Sequence, residues 1–296
     1  MKNSIKGTLF ILNSALFYAS YGIWSRLMGG AFGKFTQAWT RGLLLLTVIL
    51  LINLKFRLFR AIKHSDWIWF LIIALAGGLN QAPYYFGFQH LSIGTATLLF
   101  YASLVVSGYL QAKFALKEKI NKAKLISLIV SIGGMILIYR FSLHPDQILA
   151  AILTCLAGFL GAATVVLTKK LSGHYHEFQI MAGYFILQVV INGPLALITH
   201  EVFPPTTSIY LWIAPLAYAF SYLIANFGAI EGFKYVEGSI GSLIGLAEIL
   251  FGVLFGFLFF HEIINLSTLV GGLLIIFAAA FPSLIDLFHH RRDLFN

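Results

Sequence analysis

Residues 238–262 read GSIGSLIGLAEILFGVLFGFLFFHE, and between Ser239 and Phe260 the one charge is Glu248. At about 1.5 Å per residue such a run crosses a hydrocarbon layer of about 30 Å. The stretch therefore reads as a membrane helix with a carboxylate near its middle. Steps of about 100° per residue put Gly241, Gly245, Gly252 and Gly256 on one narrow face, with Glu248 among them. Leu243, Leu246, Leu250, Leu254 and Phe257 fall opposite. The leucine face suits lipid tails. The glycine face admits another backbone or a ligand, and an acid on that side is expected to point into the protein.

The rest of the chain has the same character. It holds 296 residues, 59% of them hydrophobic and 10% charged. A soluble domain needs more charge than that to cover its surface, so an all-α integral membrane protein is expected. The single cysteine, Cys155, excludes an internal disulfide. The net charge of +9 reads as loop charge that orients the chain in the membrane, not as a nucleic-acid surface. Lys2 and Lys6 before an apolar run imitate a signal peptide. The run continues to about Met28, however, and the expectation is that it stays as the first helix.

Ten apolar segments can be marked, at about 7–28, 36–54, 67–89, 93–115, 123–140, 147–168, 178–199, 209–231, 239–260 and 266–286. Turn residues or charges separate them, such as Gly29-Gly30, His144-Pro145-Asp146 and Pro204-Pro205. Ten crossings put both termini on one side. Sixteen of the 20 lysines and arginines fall there, in the clusters at 2–6, 55–63, 113–124, 169–170, 234 and 291–292. Arg26, Lys34 and Arg140 fall on the other side, and Arg41 lies inside the second segment. That bias predicts cytoplasmic termini in a multi-pass protein of the bacterial inner membrane.

The two halves, 1–144 and 145–296, read as repeats. Gly87-Phe88-Gln89-His90 leads through an apolar run to Lys117-Glu118, and Gly232-Phe233-Lys234-Tyr235 leads to His261-Glu262. A Gly-Gly pair follows each, at Gly133-Gly134 and Gly271-Gly272. Five helices per half invert the second half relative to the first, an arrangement typical of transporters with a site near the midplane.

Ten helices as five plus five, Ala247-Glu248 before Ile249-Leu250-Phe251, and a run ending Phe260-His261-Glu262 together resemble the EamA-type branch of the drug/metabolite transporter superfamily. Ile249 and His261 stand where that branch usually has proline and glycine. Leu104-Val105 stands in the first half where an acidic or small residue plus proline is common. Arg41 matches a frequent early arginine of the second helix. The resemblance implies alternating-access transport of small metabolites through a central cavity lined by helices one, three, four, six, eight and nine.

Helical phase supplies candidates for such a cavity. Asn13, Phe17, Ser20 and Trp24 share a face of the first helix, flanked by Tyr21. Asn80 and Tyr84 share one on the third, flanked by Gln81; Tyr218 and Tyr222 share one on the eighth, flanked by Asn226; Tyr101 lies mid-helix on the fourth. Such groups avoid lipid because hydrocarbon leaves them unsatisfied. They read either as interhelical hydrogen bonds or as the aromatic and polar wall of a binding site for a small organic ligand. Glu248 is open to three roles: a packing acid, a partner of Arg41 or of a substrate amine, or a carrier of a coupling proton. Arg41 either snorkels to the interface or binds charge. Glu118 and Glu262 are expected at helix ends in loops, either solvated or as structural elements of the repeat, and Lys117 to Lys124 as an orienting run. Pro83, Pro194 and Pro215 are candidate kinks.

No P-loop is present, and His261-Glu262-Ile263-Ile264-Asn265 lacks the second histidine of a zinc-protease motif. No metal, cofactor or nucleic acid is expected. The reading is a secondary transporter of an amino acid or related amphipathic amine, as a monomer or homodimer in membrane lipid, with a proton as the candidate coupling ion. The rivals are a broad lipophilic-cation efflux pump, a membrane enzyme acting on lipid, and a pore.

Overall fold

The computed structural model describes residues 2–28, 32–91, 93–139, 143–201, 209–261 and 263–293. Among these residues every long element is helical. The helices are α1 (Lys2–Ala19), α2 (Tyr21–Met28), α3 (Lys34–Phe56), α4 (Trp67–Leu79), α5 (Gln81–His90), α6 (Ile93–Phe114) and α7 (Lys122–Ile138). They continue with α8 (Ile148–Val166), α9 (Glu177–Ile198), α10 (Ile209–Phe233), α11 (Gly238–Gly245), α12 (Ala247–Phe260) and α13 (Leu266–Asp293). One residue separates α1 from α2, α4 from α5 and α11 from α12, so each pair forms one broken segment and the segments number ten. Among the described residues six of them are long and apolar enough to cross a membrane, and the apolar part of α13, Leu266–Pro282, is shorter.

The breaks have local causes. Pro83 lies in the first turn of α5, where it cannot donate to the carbonyl of Leu79, and the helix gives way at Asn80. At Ser20 the hydroxyl donates to the carbonyl of Phe17 at 2.6 Å, a side-chain bond that competes with the helix ladder. At Leu246 the chain tightens, with Leu246 N bonded to the carbonyl of Leu243 (3.1 Å) and Ile249 N to that of Leu246 (3.0 Å). The kinks expected at Pro194 and Pro215 do not break the chain, since α9 and α10 run through them.

Segment packing follows a rule of five. α1 packs on α10 and α5 on α8; α6 packs on α8 and α1 on α11 and α12; α3 packs on α9 and α7 on α13. Counting broken pairs once, and adding five to or taking it from both segment numbers, the first two contacts exchange, the next two exchange, and α3–α9 and α7–α13 each map onto themselves. The core divides the same way. One cluster joins Leu45, Phe70, Ile73, Phe185 and Leu223, and a second joins Leu98, Val105, Met135, Leu243, Leu246 and Ile275. The burial of Leu243 and Leu246 corrects the single leucine face expected for 238–260. Only Leu254 and Phe257, beyond the break, are exposed. α11 is surrounded by α1, α6, α7 and α13, so its leucines meet protein on the side where a peripheral helix would meet lipid. Nor do the glycines form one packing face: Gly241 lies against Phe233, while an added methyl would meet nothing at Gly245 or Gly252.

The backbone repeats as well. Among the described residues four non-glycine residues have positive φ: Arg57 (50°), Lys117 (58°), His200 (52°) and His261 (55°). They end the second, fourth, seventh and ninth segments, again five apart. Left-handed residues of this kind close a helix C-terminus, as Arg57 does by returning its N–H to the carbonyl of Asn53 at 2.7 Å. After His200, Glu201 accepts the N–H groups of Phe35 (3.1 Å) and Thr36 (2.7 Å) at the start of α3. After Lys117, Glu118 accepts the N–H groups of Gly238 (2.7 Å) and Ser239 (3.3 Å) and the Ser239 hydroxyl (3.2 Å) at the start of α11. Each carboxylate meets unbonded helix N–H groups and the positive end of the helix dipole, and each joins one half of the chain to the other.

Of the two readings of Glu118, these contacts correct the solvated one: its side chain is 9% exposed, with Lys169 at 3.3 Å. Lys124 is likewise buried, paired with Glu237 and donating to the carbonyl of Lys119 at 2.8 Å. Glu262 lies outside the described residues.

The Gly-Gly pairs are not equivalent at their two positions. A methyl on Gly134 would sit 2.7 Å from the carbonyl oxygen of Gly271 across the α7–α13 contact, whereas a methyl on Gly133 meets nothing within 4 Å. Gly134→Ala is therefore expected to cost about 1–3 kcal/mol through overpacking, read as a lower melting temperature in detergent, while Gly133→Ala leaves it unchanged. Equal melting of the two variants would contradict the crossing.

Candidate functional site

The three breaks converge on one central cavity of about 160 Å³. Tyr18 and Tyr21 flank the break at Ser20, Asn80 and Gln81 form the one between α4 and α5, and Glu248 follows the one at Leu246. α5 adds Tyr84, α6 adds Phe100, Tyr101 and Leu104, α8 adds Gly161, Thr164 and Val165, and α10 adds Tyr218 and Tyr222. A broken helix exposes polar backbone, which hydrocarbon does not tolerate but a polar cavity does.

Glu248 stands in the first turn of α12, where the helix dipole favours a carboxylate. The Tyr101 hydroxyl donates to it. Among the described residues it is the one acidic side chain lining the cavity. Among the described residues Asn80 Oδ1 and Gln81 Oε1 have no hydrogen-bond partner, and both oxygens are buried in the cavity wall. The cavity thus offers a carboxylate, backed by two buried amide oxygens, and a carboxylate suits a ligand with N–H donors.

Aromatic rings close the space on two sides. Tyr84 stacks on Phe100 (centroids 4.1 Å apart, planes at 24°), and Phe100 meets Tyr101 edge-on at 5.2 Å. Opposite, Tyr21 lies 4.9 Å from Tyr218, and Tyr18 meets Tyr222 edge-on at 5.7 Å. Behind that second wall the Arg41 guanidinium carbon lies 4.8 Å from the Tyr218 centroid and 4.4 Å from that of Tyr222. Arg41 is 2% exposed. That corrects the snorkelling alternative, because two ring faces hold the guanidinium inside the protein.

Glu248, Tyr21, Asn80, Gln81, Tyr84, Tyr101, Tyr218 and Tyr222 are therefore brought together. The other candidates lie elsewhere. Asn13 is exposed on α1, and Phe17, half-buried, is not among the lining residues. Trp24 donates to the hydroxyls of Ser20 (3.1 Å) and Ser221 (3.2 Å). Asn226 accepts from the Tyr184 hydroxyl at 2.7 Å and donates to the carbonyl of Tyr222 at 2.8 Å, a packing role. Phase reasoning missed Tyr18, Phe100, Leu104, Gly161, Thr164 and Val165. Thr164 left a signal, as a polar residue in the last turn of an apolar helix. Leu104, matched with Glu248 in the repeat, lines the same cavity.

A layer of ion pairs lies below the cavity, at the end holding the termini. Nine residues, or about 14 Å of helix, separate Tyr222 from Glu231. Lys234 bonds to Glu177 and to Glu231 (2.6 Å), and Lys6 lies 3.7 Å from Glu231. With the Glu118–Lys169 pair and its hold on α11, this layer ties α1, α9, α10 and α11 together.

Two glycines of α8 separate fold from cavity. A methyl on Gly158 would run into the Phe100 carbonyl oxygen and sit 2.9 Å from Leu104 N. A methyl on Gly161 would make ordinary 3.4 Å contacts with the Leu104 and Phe100 side chains. Gly158→Ala is expected to lower stability by about 1–3 kcal/mol, whereas Gly161→Ala keeps the melting temperature and trims only the cavity. Circular-dichroism melts in detergent check this, and a stable Gly158→Ala would count against the α6–α8 packing.

The comparisons agree with this architecture. The EamA-like transporter family matches residues 5–140 and again 148–284. The pseudopaline exporter CntI of Pseudomonas aeruginosa is 24% identical over 209 residues, covering 70% of this chain and 72% of the exporter. An uncharacterized transporter of Helicobacter pylori is 21% identical over 298 residues, covering 96% of this chain and 98% of that one. A solved crystal structure superposes with a TM-score of 0.78 over 94% of this chain and 96% of the other at 15% identity, a likeness of fold alone. The chain is a multi-pass membrane protein that belongs to the EamA-like transporter family.

Proposed function

We propose that this protein is a secondary transporter that moves a small amine-bearing metabolite, an amino acid or a related amphipathic amine, through the Glu248 cavity by alternating access. The observation that carries the reading is Glu248 itself: the one carboxylate among the described lining residues, backed by two buried amide oxygens and enclosed by tyrosine and phenylalanine rings. A carboxylate attracts an ammonium group, and ring faces add cation–π attraction. The cavity of about 160 Å³ is below the roughly 300 Å³ at which drug-sized pockets begin. Its size favours a small metabolite over a broad lipophilic-cation pump. The cargo named for the Pseudomonas relative makes pseudopaline a sensible member of any substrate panel.

In this reading the halves are inverted repeats and both termini are cytoplasmic. The Glu118 contact and the ion pairs around Lys234 then form the cytoplasmic closure, and opening on that side releases α11 from Glu118. The Glu201 contact grips α3, which lines no part of the cavity, and acts as a standing brace. Glu248 is the group placed to exchange a substrate ammonium for a proton.

Proteoliposomes test the proposal with radiolabelled amino acids, small amines and lipophilic cations, with and without a pH gradient. Glu248→Gln keeps shape and removes charge. It is expected to lower amine flux at least tenfold, equivalent to about 1.4 kcal/mol, and to remove its pH dependence. Wild-type flux and unchanged pH dependence in that variant would sink the assignment. Preferential flux of lipophilic cations would give the cavity to the efflux reading.

A further inference from the structure

A second and larger cavity, of about 680 Å³, opens between α4 and α9 beneath the loop of residues 57–66. Its walls are apolar, formed by Phe59 and Ile62 of the loop, Trp67 and Leu71 of α4, and Ile186 and Leu187 of α9. Its floor is cut by small residues. A methyl added at Gly183 would reach only Ala74, at 3.7 Å, and Phe70, at 3.9 Å. The slot has the chemistry to hold a hydrocarbon chain, and Trp67, Ile68, Leu71 and Ile186 around it are exposed.

The loop above is a fixed strap held by its backbone. Arg60 N donates to Gln179 Oε1 (3.0 Å), and Gln179 Nε2 returns to the Arg60 carbonyl (2.7 Å). Lys63 N donates to the Tyr175 hydroxyl (3.0 Å), and Phe59 N to Asn53 Oδ1 (2.8 Å). The side chains of Arg57, Arg60 and Lys63 stay exposed. Among the described residues none of the three forms an ion pair. The acid of the strap, Asp66, accepts from the Tyr175 hydroxyl at 2.7 Å and from Ser65 at 3.1 Å. The Tyr175 bond holds its carboxyl below the usual range. One carboxylate against Lys55, Arg57, Arg60 and Lys63 leaves the strap strongly basic.

We infer that this groove is a binding site for one anionic phospholipid, with an acyl chain over Gly183 and the phosphate at Arg60 and Lys63. Charge complementarity selects the occupant. An apolar slot admits any lipid tail, but a strap that carries Arg60 and Lys63 next in the chain to the lining residues Phe59, Ile62 and His64, with Arg60 tied through its backbone to the lining residue Gln179, favours an anionic headgroup over a zwitterionic one. The site is separate from the Glu248 cavity and does not rest on the transport reading.

Native mass spectrometry and thermal melts of the purified full-length protein test it, with added phosphatidylglycerol, phosphatidylcholine or inorganic phosphate. Phosphatidylglycerol is expected to be retained at least about fivefold over phosphatidylcholine and to raise the melting temperature more; inorganic phosphate raises it little. Arg60→Gln with Lys63→Gln leaves the backbone ties in place and is expected to abolish the preference. Gly183→Leu fills the slot and is expected to lower phosphatidylglycerol retention with the strap charges intact. Lys119→Gln with Lys122→Gln, on another loop at the same end, keeps the preference. Equal retention of the two lipids, a phosphate shift matching the lipid's, a preference surviving in Arg60→Gln/Lys63→Gln, undiminished retention in Gly183→Leu, or a preference lost in Lys119→Gln/Lys122→Gln would each overturn the site.

Discussion

Hydrocarbon supplies no hydrogen bonds, and that constraint governs the molecule. Every backbone N–H and C=O within a bilayer must find its partner in the protein or in a wet cavity. Long unbroken helices satisfy it within their own ladders, as in α3, α9 and α13. The three broken segments interrupt the ladder at Ser20, Asn80 and Leu246, and the residues beside all three breaks line one space. The cavity and the breaks are thus one feature. The breaks place polar groups at its wall, and the cavity is the environment in which those groups remain tolerable. Glu248 occupies the most favourable position such a break creates, the first turn of a new helix.

The broken ninth segment has two helix N-termini, and a glutamate meets each. Glu118 holds the first from a distant loop, and Glu248 is built into the second. Eight residues of α11 lie between them. α11 is packed against α1, α6 and α13, and it carries the Glu118 contact at one end and leads at the other into the turn before Glu248. The ionic layer at one end and the cavity in the middle are joined through this short helix.

Much of this was legible in the sequence, for physical reasons. Segment number and the repeat follow from apolar period and from Gly-to-Glu spacing, both local quantities. Glu248 announced itself as a charge in an apolar run. Tyr218 and Tyr222 are legible by phase because α10 keeps an even pitch around them. Asn13 and Phe17 were favoured over Tyr18 because phase was carried through Ser20 as though the first helix were continuous. Leu246 carries no proline to mark its break, so the leucines of α11 were assigned to lipid. Arg41 could not be placed behind Tyr218 and Tyr222, nor Glu118 on α11. A sequence shows that a residue is charged, but not which distant helix end it meets.

The glutamates at the helix starts have a further consequence. Glu118 and Glu201 recognise chiefly backbone N–H groups, which every residue except proline carries. Almost any side chain along α3 or α11 can be exchanged without altering what these carboxylates hold. A joint written in main-chain atoms is insulated from sequence drift. It requires only an acid, a left-handed residue before it, and a helix that begins in register. Architecture of this kind can outlast recognisable similarity, and this fold persists in a structure that shares 15% of its residues.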